Sequence, residues 1–510
     1  MNVDNKSRLE KIIKNIFFGF GSQFILLLLS FINRTIFIKY LGIEYLGINS
    51  LFANILLVLN LADLGMSSAM AYSLYKPLYE KDDKKIISLI NFFKKIYRYI
   101  SLGVFLLGIS LIPFLDKIVN LESTVEHIYI YYLLYVINSA LSYLFVYKTT
   151  VIFADQKNYI LKKYNILSGI LNFFLQMLSV IVFQSFILYL LSMVSTTFYN
   201  NYLGAKKADS LYLRNRNNII DITKEEKKEI FNNVKSMFFY RIAGVILNNT
   251  ISIFISIFIG TIWVGYYSNY LMLITGITSF TMILISSFQA SIGNLIVSAS
   301  MDKQYTVFKI INFIGFTIFG IISIILYAFV DTFIELWIGK EYILPDNIVL
   351  MIIVYFFVSN TLFAIWLFRD ATSIFKRTKN IIIMTTILNI ILILILQKYF
   401  GLAGIFISPI LARLFTNFWY EPYLLVSSYF KSSPKGYFIK ILSYIMVFII
   451  FGAINKYIVS MIVINSYFKF VLILLVDCII VISFYFILFY KSNEFSFIKN
   501  KLLIKIKQKI

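Results

Sequence analysis

Long apolar stretches alternate with short polar segments along almost the whole chain. Each stretch holds roughly 18 to 25 residues, the length that an α-helix needs to cross a hydrocarbon layer about 30 Å thick. Fourteen membrane-spanning helices are predicted, near residues 15–38, 46–72, 97–115, 128–147, 165–183, 185–204, 236–259, 266–290, 308–330, 347–368, 380–397, 401–421, 441–455 and 467–490. The pattern therefore predicts an all-α polytopic membrane protein.

The positive charges fall mainly on one side of this predicted topology. With the N-terminus inside, 38 of the 47 Lys and Arg residues lie in inside loops, 6 in outside loops and 3 within spans. Cytoplasmic loops of membrane proteins carry such an excess. We therefore expect a multi-pass protein of the cytoplasmic membrane with both termini in the cytoplasm. The net charge of +22 follows from this topology, and nucleic acid is not an expected partner.

Composition narrows the chemistry further. The chain is 60% hydrophobic and contains one cysteine, Cys478, and one histidine, His127. This excludes a disulfide framework and leaves no residue set suited to a zinc site or a cysteine–histidine nucleophile. The sequence contains no GxxxxGK[ST] phosphate-binding motif. No metal, cofactor or enzymatic activity is expected.

The predicted spans are divided by a polar segment near residues 205–235. Residues 1–204 are expected to form an N-lobe of six spans, and residues 236–425 a C-lobe of six more. Residues 426–510 add spans 13 and 14 and a basic cytoplasmic tail. Membrane lipids are expected partners of such a chain.

An internal repeat links the two predicted lobes. A glycine, glycine, serine pattern recurs 218 positions later: Gly42, Gly47 and Ser50 correspond to Gly260, Gly265 and Ser268. The same offset pairs two polar sets, Gln23, Ser30 and Arg34 with Arg241, Asn248 and Ser252. Each polar set has the spacing i, i+7, i+11, which places it on one stripe of a helix. Helical transporters are commonly built from such repeats around a substrate site, so two six-helix bundles around a central polar cavity are expected.

Ionisable residues within spans are costly and usually face a cavity or a partner. Arg413 is the deepest in the predicted core, whereas Arg34 and Arg241 lie close enough to helix ends to reach the interface. Asp63 is too short to do so. We take Arg34, Asp63, Arg241, Asn248 and Arg413 as candidate substrate-binding residues. Three arginines against one deep carboxylate predict a cationic cavity and an anionic cargo.

Two other acidic residues fall within predicted spans. Glu421, in the sequence WYEP, is interpreted as a boundary residue at an inner helix end, and Asp477 as a helix–helix contact in span 14. Neither is expected to belong to the substrate site.

Several stretches resemble one transporter family. They are YLGIEYLGINSLFANILLVLNLADLGMSSAMAYSLYKPL, YRIAGVILNNTISIFISIFIGTIWVGYYSNYL, FQASIGNLIVS, IELWIGKEY and LFRDATSIF. In order and spacing they are similar to the polysaccharide flippases of the multidrug/oligosaccharidyl-lipid/polysaccharide (MOP) superfamily, over most of residues 12–425. Asp63 occupies a position where that family often has Glu or Asp, but the basic residues of the family's lumen vary.

This resemblance implies a flippase. Its cargo would be a polyprenyl-diphosphate-linked oligosaccharide, moved from the inner to the outer leaflet by alternating access for surface polysaccharide assembly. A polysaccharide polymerase would be a further partner. A multidrug exporter, or an exporter of another lipid-linked precursor, is the alternative within the same fold. A glycan polymerase is disfavoured because the longest predicted outside loop, residues 331–346, is too short to hold sugar chains.

Overall fold

The structure is a computed structural model that describes residues 3–59, 65–121, 125–212, 222–372, 374–497 and 499. The described chain consists of α-helices joined by short turns, with brief 3-10 and π segments. This confirms the predicted all-α fold. Asp63 lies outside the described residues.

The first half of the chain contains helices α1 to α12. Their bounds are α1 Val3–Leu41, α2 Ile43–Leu59, α3 Met66–Glu80, α4 Asp83–Ser110, α5 Leu115–Ile118, α6 Ile128–Tyr143, α7 Val146–Ala154, α8 Asn158–Ile181, α9 Phe186–Tyr212, α10 Lys224–Asn249, α11 Ile251–Phe258 and α12 Thr261–Ser298.

The second half contains helices α13 to α20. Their bounds are α13 Met301–Ile338, α14 Asp346–Thr361, α15 Phe363–Ala371, α16 Phe375–Phe400, α17 Leu402–Phe415, α18 Asn417–Leu424, α19 Lys435–Ser460 and α20 Tyr467–Phe489.

Nine helical segments of the described chain are long and apolar enough to cross a membrane, or up to eleven if each of two bent pairs counts as one span. The bent pairs are α6 with α7, at 49°, and α10 with α11, at 42°. These eleven segments coincide with eleven of the fourteen predicted spans. The protein is therefore a multi-pass membrane protein.

The other three predicted spans do not coincide with these segments. The span predicted at 46–72 is divided between α2 and α3, and Gly65 stands before α3 with a φ of +109°. The spans predicted at 185–204 and 266–290 lie within the long helices α9 and α12. Serine, threonine and asparagine recur along α9 and lower its mean hydropathy.

The chain forms two compact units, Met1–Ile283 and Leu284–Ile510. The first contains α1 to α11 and the first part of α12, and the second contains the helices from α13 onward. The segment predicted as a loop at 205–235 is helical at both ends, because α9 continues to Tyr212 and α10 begins at Lys224. The division into lobes of six spans each stays a prediction.

Two glycine turns in the first unit occupy corresponding positions of the predicted repeat. Gly42 joins α1 to α2 with a φ of +89°, and Gly260 joins α11 to α12 with a φ of +142°. Such φ values favour glycine because a Cβ atom would be strained there. The 218-residue offset found in the sequence thus relates two turns of the same kind.

The next pair of repeat glycines lets α2 and α12 approach backbone to backbone. A Cβ atom built on Gly265 would lie 2.7 Å from the carbonyl oxygen of Ile43, and one built on Gly47 would overlap the carbonyl oxygen of Thr261 even more closely. Neither position accommodates a larger residue without movement of the backbone. These two glycines therefore fix how closely the two helices cross.

In the second unit, α19 and α20 pack against α13. The Asn455 amide of α19 donates a hydrogen bond to Asp477 of α20 at 3.2 Å, and both residues are buried. Asp477 is thus a helix–helix contact, as the sequence indicated. Lys456 adds an ion pair to Asp331 of α13 at 3.0 Å.

Candidate functional site

A polar cavity of about 370 Å³ lies within the first unit, between α1, α2, α9 and α12. Its polar lining consists of Ser30, Asn33, Arg34, Asn49, Ser50, Asn54, Tyr189, Ser268 and Thr275. Four of these, Ser30, Arg34, Ser50 and Ser268, belong to the repeat pattern recognised in the sequence. The cavity volume is within the range typical of small-molecule sites.

Arg34 is the one charged residue among those that line the cavity. Its Nη1 donates hydrogen bonds to Ser268 Oγ at 2.8 Å and to Asn269 Oδ1 at 3.2 Å. Both acceptors are neutral, so these contacts orient the guanidinium without cancelling its charge. The cavity is therefore positively charged, which suits an anionic ligand.

Asn33 positions this part of α1 against two neighbouring helices. Its Nδ2 donates to Gln176 Oε1 of α8 at 2.8 Å and to Tyr189 Oη of α9 at 3.2 Å. The ring of Phe37 packs against that of Tyr189 with centroids 4.9 Å apart. The sequence search did not single out Asn33 or Gln176, because it followed charged residues and the repeat offset; a search for amides within spans would have found both.

One end of the cavity adjoins the crossing of α2 and α12. The lining residues Leu46 and Asn49 flank Gly47 on α2. Beyond the crossing, Thr261 exchanges two hydrogen bonds with the backbone of Asn120, at 2.7 and 3.0 Å. These bonds tie the start of α12 to the segment around Asn120, and the charge distribution predicts that this end of the cavity faces outward.

Arg241 and Asn248 are not among the residues that line this cavity. Arg241 donates a hydrogen bond to Ser68 Oγ of α3 at 2.8 Å. Asn248 is exposed, while Ser252 is buried. The 42° bend between α10 and α11 separates the last two positions of the predicted stripe, so they do not share one straight helical face.

Arg413 lies in the second unit, on α17, and is 3% exposed. Its guanidinium stacks over the ring of Tyr355 at 5.4 Å, and its Nη2 donates to Tyr355 Oη at 3.3 Å. This packing shields the arginine from solvent. The geometry thus pairs Arg413 with an aromatic residue of α14.

Glu421 is a buried ion-pair partner, and its interpretation as a helix-boundary residue is wrong. It is 1% exposed, and Arg369, itself 4% exposed, donates to its two carboxylate oxygens at 3.3 and 3.2 Å. Arg369 also contacts Asp370 at 2.9 Å. The sequence placed Arg369 in an inside loop and could not pair it with Glu421, which lies on another helix.

A second opening of about 720 Å³ lies between α3, α4 and α10 of the first unit. The Lys85 ammonium of α4 contacts Glu226 of α10 at 2.5 Å. This hydrogen bond to Lys85 lowers the pKa of Glu226 below its usual 4.5. Thr223 and Glu226 also form a reciprocal capping box that begins α10. The Glu226 carboxylate therefore caps the N-terminus of α10 and also links α10 to α4.

The fold is shared with solved transporters. A lipid II flippase, MurJ, in an inward closed conformation matches with a TM-score of 0.63 and 17% identity, covering 94% of this chain and 99% of that one. An inward-facing multidrug resistance transporter of the MATE family of the MOP superfamily matches with a TM-score of 0.57 and 13% identity, covering 80% and 97%.

A third match is a MOP superfamily transporter from Pyrococcus furiosus, whose reversed binding-pocket polarity is described as suggesting a different function. It has a TM-score of 0.52 and 15% identity, covering 83% of this chain and 96% of that one. No sequence-family model and no curated protein sequence matches this chain. The chain thus has the fold of MOP superfamily transporters.

Proposed function

We propose that this protein, which has the fold of MOP superfamily transporters, is a flippase for a polyprenyl-diphosphate-linked oligosaccharide. It would move the repeat unit from the inner to the outer leaflet of the cytoplasmic membrane for surface polysaccharide assembly. The observation that carries the proposal is the cavity whose one charged lining residue is Arg34. A diphosphate is an anion that a guanidinium binds through paired hydrogen bonds.

The remaining lining residues suit the sugar part of the cargo. Asn49 and Asn54 of α2 and Thr275 of α12 present amides and hydroxyls, which exchange hydrogen bonds with sugar hydroxyls. A lipid II flippase has a similar fold, and its cargo is also a lipid-linked precursor. Arg241, Arg413, Asn248 and Asp63 stay proposed contributors at other stages of the transport path.

A multidrug exporter is the alternative, since one of the similar structures belongs to a multidrug resistance transporter. A cavity with a positive charge and no acidic lining residue repels a cationic drug. Reconstituted vesicles should therefore flip the lipid-linked glycan and leave ethidium untransported. Ethidium transport without glycan flipping would replace the flippase proposal with an exporter.

Substitution of Arg34 tests the site. The substrate would be the lipid-linked glycan extracted from a strain that lacks this protein. Losing one charge-assisted hydrogen bond costs about 1.5–3 kcal/mol, which corresponds to a roughly ten- to hundred-fold loss of affinity. We expect Arg34→Ala to reduce flipping per folded molecule by that order and Arg34→Lys, which keeps the charge without the planar fork, to be intermediate.

Lys39→Ala provides the matched control, because Lys39 is an exposed cation in the last turn of the same helix. It should flip glycan at the wild-type rate. If Arg34 merely ties α1 to α12, Arg34→Ala will lower the yield of monodisperse protein while flipping per folded molecule stays unchanged. That result would remove Arg34 from the substrate site.

A further inference from the structure

The second unit contains a separate cavity of about 230 Å³ between α13, α19 and the segment that follows α20. It lies outside the polar cavity of the first unit and is lined by different helices. Its lining includes Tyr305, Lys309, Asn312, Tyr437, Lys440 and Glu494. A cavity rich in aromatic rings with a few polar groups has the usual composition of a ligand site.

The charges of this cavity favour an anion. Lys440 forms an ion pair with Glu494, whose side chain is 6% exposed. Lys309 lies with its ammonium 4.8 Å from the centroid of the Tyr305 ring, and among the described residues no carboxylate forms an ion pair with it. One positive charge therefore stays uncompensated by the described lining.

Two buried polar atoms of the lining residues have unused hydrogen-bonding capacity. Tyr437 Oη and Asn312 Oδ1 have no hydrogen-bond partner among the described residues, and each residue is only 6% exposed. A phenol can donate to a phosphate oxygen, whereas an amide oxygen needs a donor. A ligand that offers both an anionic oxygen and a hydroxyl would match this pair.

The position of the cavity indicates a lipid as the source of that ligand. Lys309 and Lys440 lie near the beginnings of α13 and α19, on the side where the charge distribution predicts the cytoplasm. On the same turn of α19 as Lys440, Ile439 and Leu442 are exposed apolar residues, so the helix beside the cavity presents an apolar surface to the acyl chains of the bilayer. Basic pockets between helices at this level of a membrane bind anionic lipid headgroups.

We propose that this cavity binds the phosphoglycerol headgroup of an anionic phospholipid. Lys309 contacts the phosphate, while Lys440 remains paired with Glu494. Tyr437 donates to a phosphate oxygen, and Asn312 accepts from a glycerol hydroxyl. The site is independent of the proposed flippase activity, because its residues lie outside the cavity that contains Arg34.

Lipid retention by the purified full chain tests this site. Native mass spectrometry and thermal unfolding would be measured in detergent supplemented with phosphatidylglycerol, phosphatidic acid or phosphatidylcholine. We expect phosphatidylglycerol to be retained best and phosphatidylcholine least. Lys309→Gln should weaken phosphatidylglycerol retention about ten-fold, the loss expected for one charge-assisted contact. Lys303→Gln removes an equivalent exposed charge on the same helix and should leave retention unchanged.

The substitution Tyr437→Phe tests whether the Tyr437 hydroxyl binds a lipid or simply lacks a hydrogen-bond partner. Without a ligand, removing a buried hydroxyl that lacks a partner should leave thermal stability unchanged or raise it. With the lipid bound, the same substitution should reduce the stabilisation that phosphatidylglycerol confers. Equal retention in Lys309→Gln and Lys303→Gln, or full lipid stabilisation in Tyr437→Phe, would overturn the proposal.

A water-soluble ligand without acyl chains distinguishes lipid binding from binding of a free phosphate ester. Glycerol 3-phosphate carries the same phosphate and hydroxyl chemistry without acyl chains. We expect it to stabilise the protein far less than phosphatidylglycerol at equal concentration. Equal stabilisation by glycerol 3-phosphate would refute the lipid assignment.

Discussion

At the scale of single residues, burial changes the role of a charge. Arg34 faces a cavity and hydrogen-bonds neutral groups, so its charge remains available to a ligand. Arg369 is instead buried and committed to Glu421. The two arginines thus differ in environment: Arg34 lines a polar cavity, and Arg369 joins two helices through its ion pair with Glu421.

The stability of the protein should depend on both members of the buried Arg369–Glu421 ion pair. Removing one member of a buried ion pair costs about 3–5 kcal/mol, because the other charge is left without compensation. Glu421→Gln should therefore lower the temperature at which the detergent-solubilised protein loses its monodisperse peak. Asp370→Asn is the control, since Asp370 also contacts Arg369 but its side chain is 52% exposed. Equal losses for the two variants would contradict the role of burial.

At the scale of helices, two contacts within the first unit rest on different interactions. The crossing of α2 and α12 depends on Gly47 and Gly265, and the contact between α4 and α10 depends on Lys85 and Glu226. The α2–α12 contact rests on backbone packing, and the α4–α10 contact rests on charge. The first should therefore respond to added side chains and the second to pH.

Alanine at Gly47 or Gly265 should force α2 and α12 apart. The added methyl group would meet backbone carbonyl oxygens, which cannot move aside as a flexible side chain can. Spin labels on α2 and α12 near the crossing should report a longer distance in both variants. Gly103→Ala on α4, where a Cβ atom meets nothing within 4 Å, should leave that distance unchanged. An unaltered distance in Gly47→Ala would show that the crossing tolerates a side chain.

Acid should weaken the contact between α4 and α10. The pKa of Glu226 is lowered in the folded protein, so its contribution to stability is present above the usual value of 4.5 and is lost as the pH falls through the lowered pKa. Unfolding temperature should decline below about pH 4.5 more steeply in the wild type than in Glu226→Gln, which has no carboxylate to protonate. Because the pair is partly exposed, high salt should reduce the difference. Identical pH profiles would exclude this carboxylate as a contributor.

At the scale of the whole molecule, the distribution of Lys and Arg predicts the orientation in the membrane. Both termini and the segment around Asn215 should be cytoplasmic. Single cysteines introduced in a Cys478→Ala background should stay unlabelled by a membrane-impermeant reagent in intact cells. The matched positive control is a cysteine at Lys340, in a predicted outside loop. Labelling at position 215 from outside the cell would show that the predicted orientation is wrong.

The fold class follows from the amino-acid sequence, because a membrane demands long apolar helices and the backbone must satisfy its hydrogen bonds within them. It also identified equivalent glycine turns, since a positive φ strongly restricts the residue type. Eleven of fourteen spans coincide with candidate membrane helices or bent pairs of the described chain. The other three predicted spans lie in α2 with α3, in α9 and in α12, which are not among the candidate membrane helices of the described residues.

Which polar residues meet depends on how the helices pack in three dimensions. Arg34 reaches Ser268 across 234 positions, and Arg369 reaches Glu421 across 52. Neither pairing follows from helical periodicity, which describes the faces of one helix and carries no information about its neighbours. The 42° bend before α11 likewise separated Asn248 from Ser252, although their spacing suits one straight helix. Contacts between helices depend on how their side chains pack together, and that packing selected Arg34 as the charge that faces the cavity.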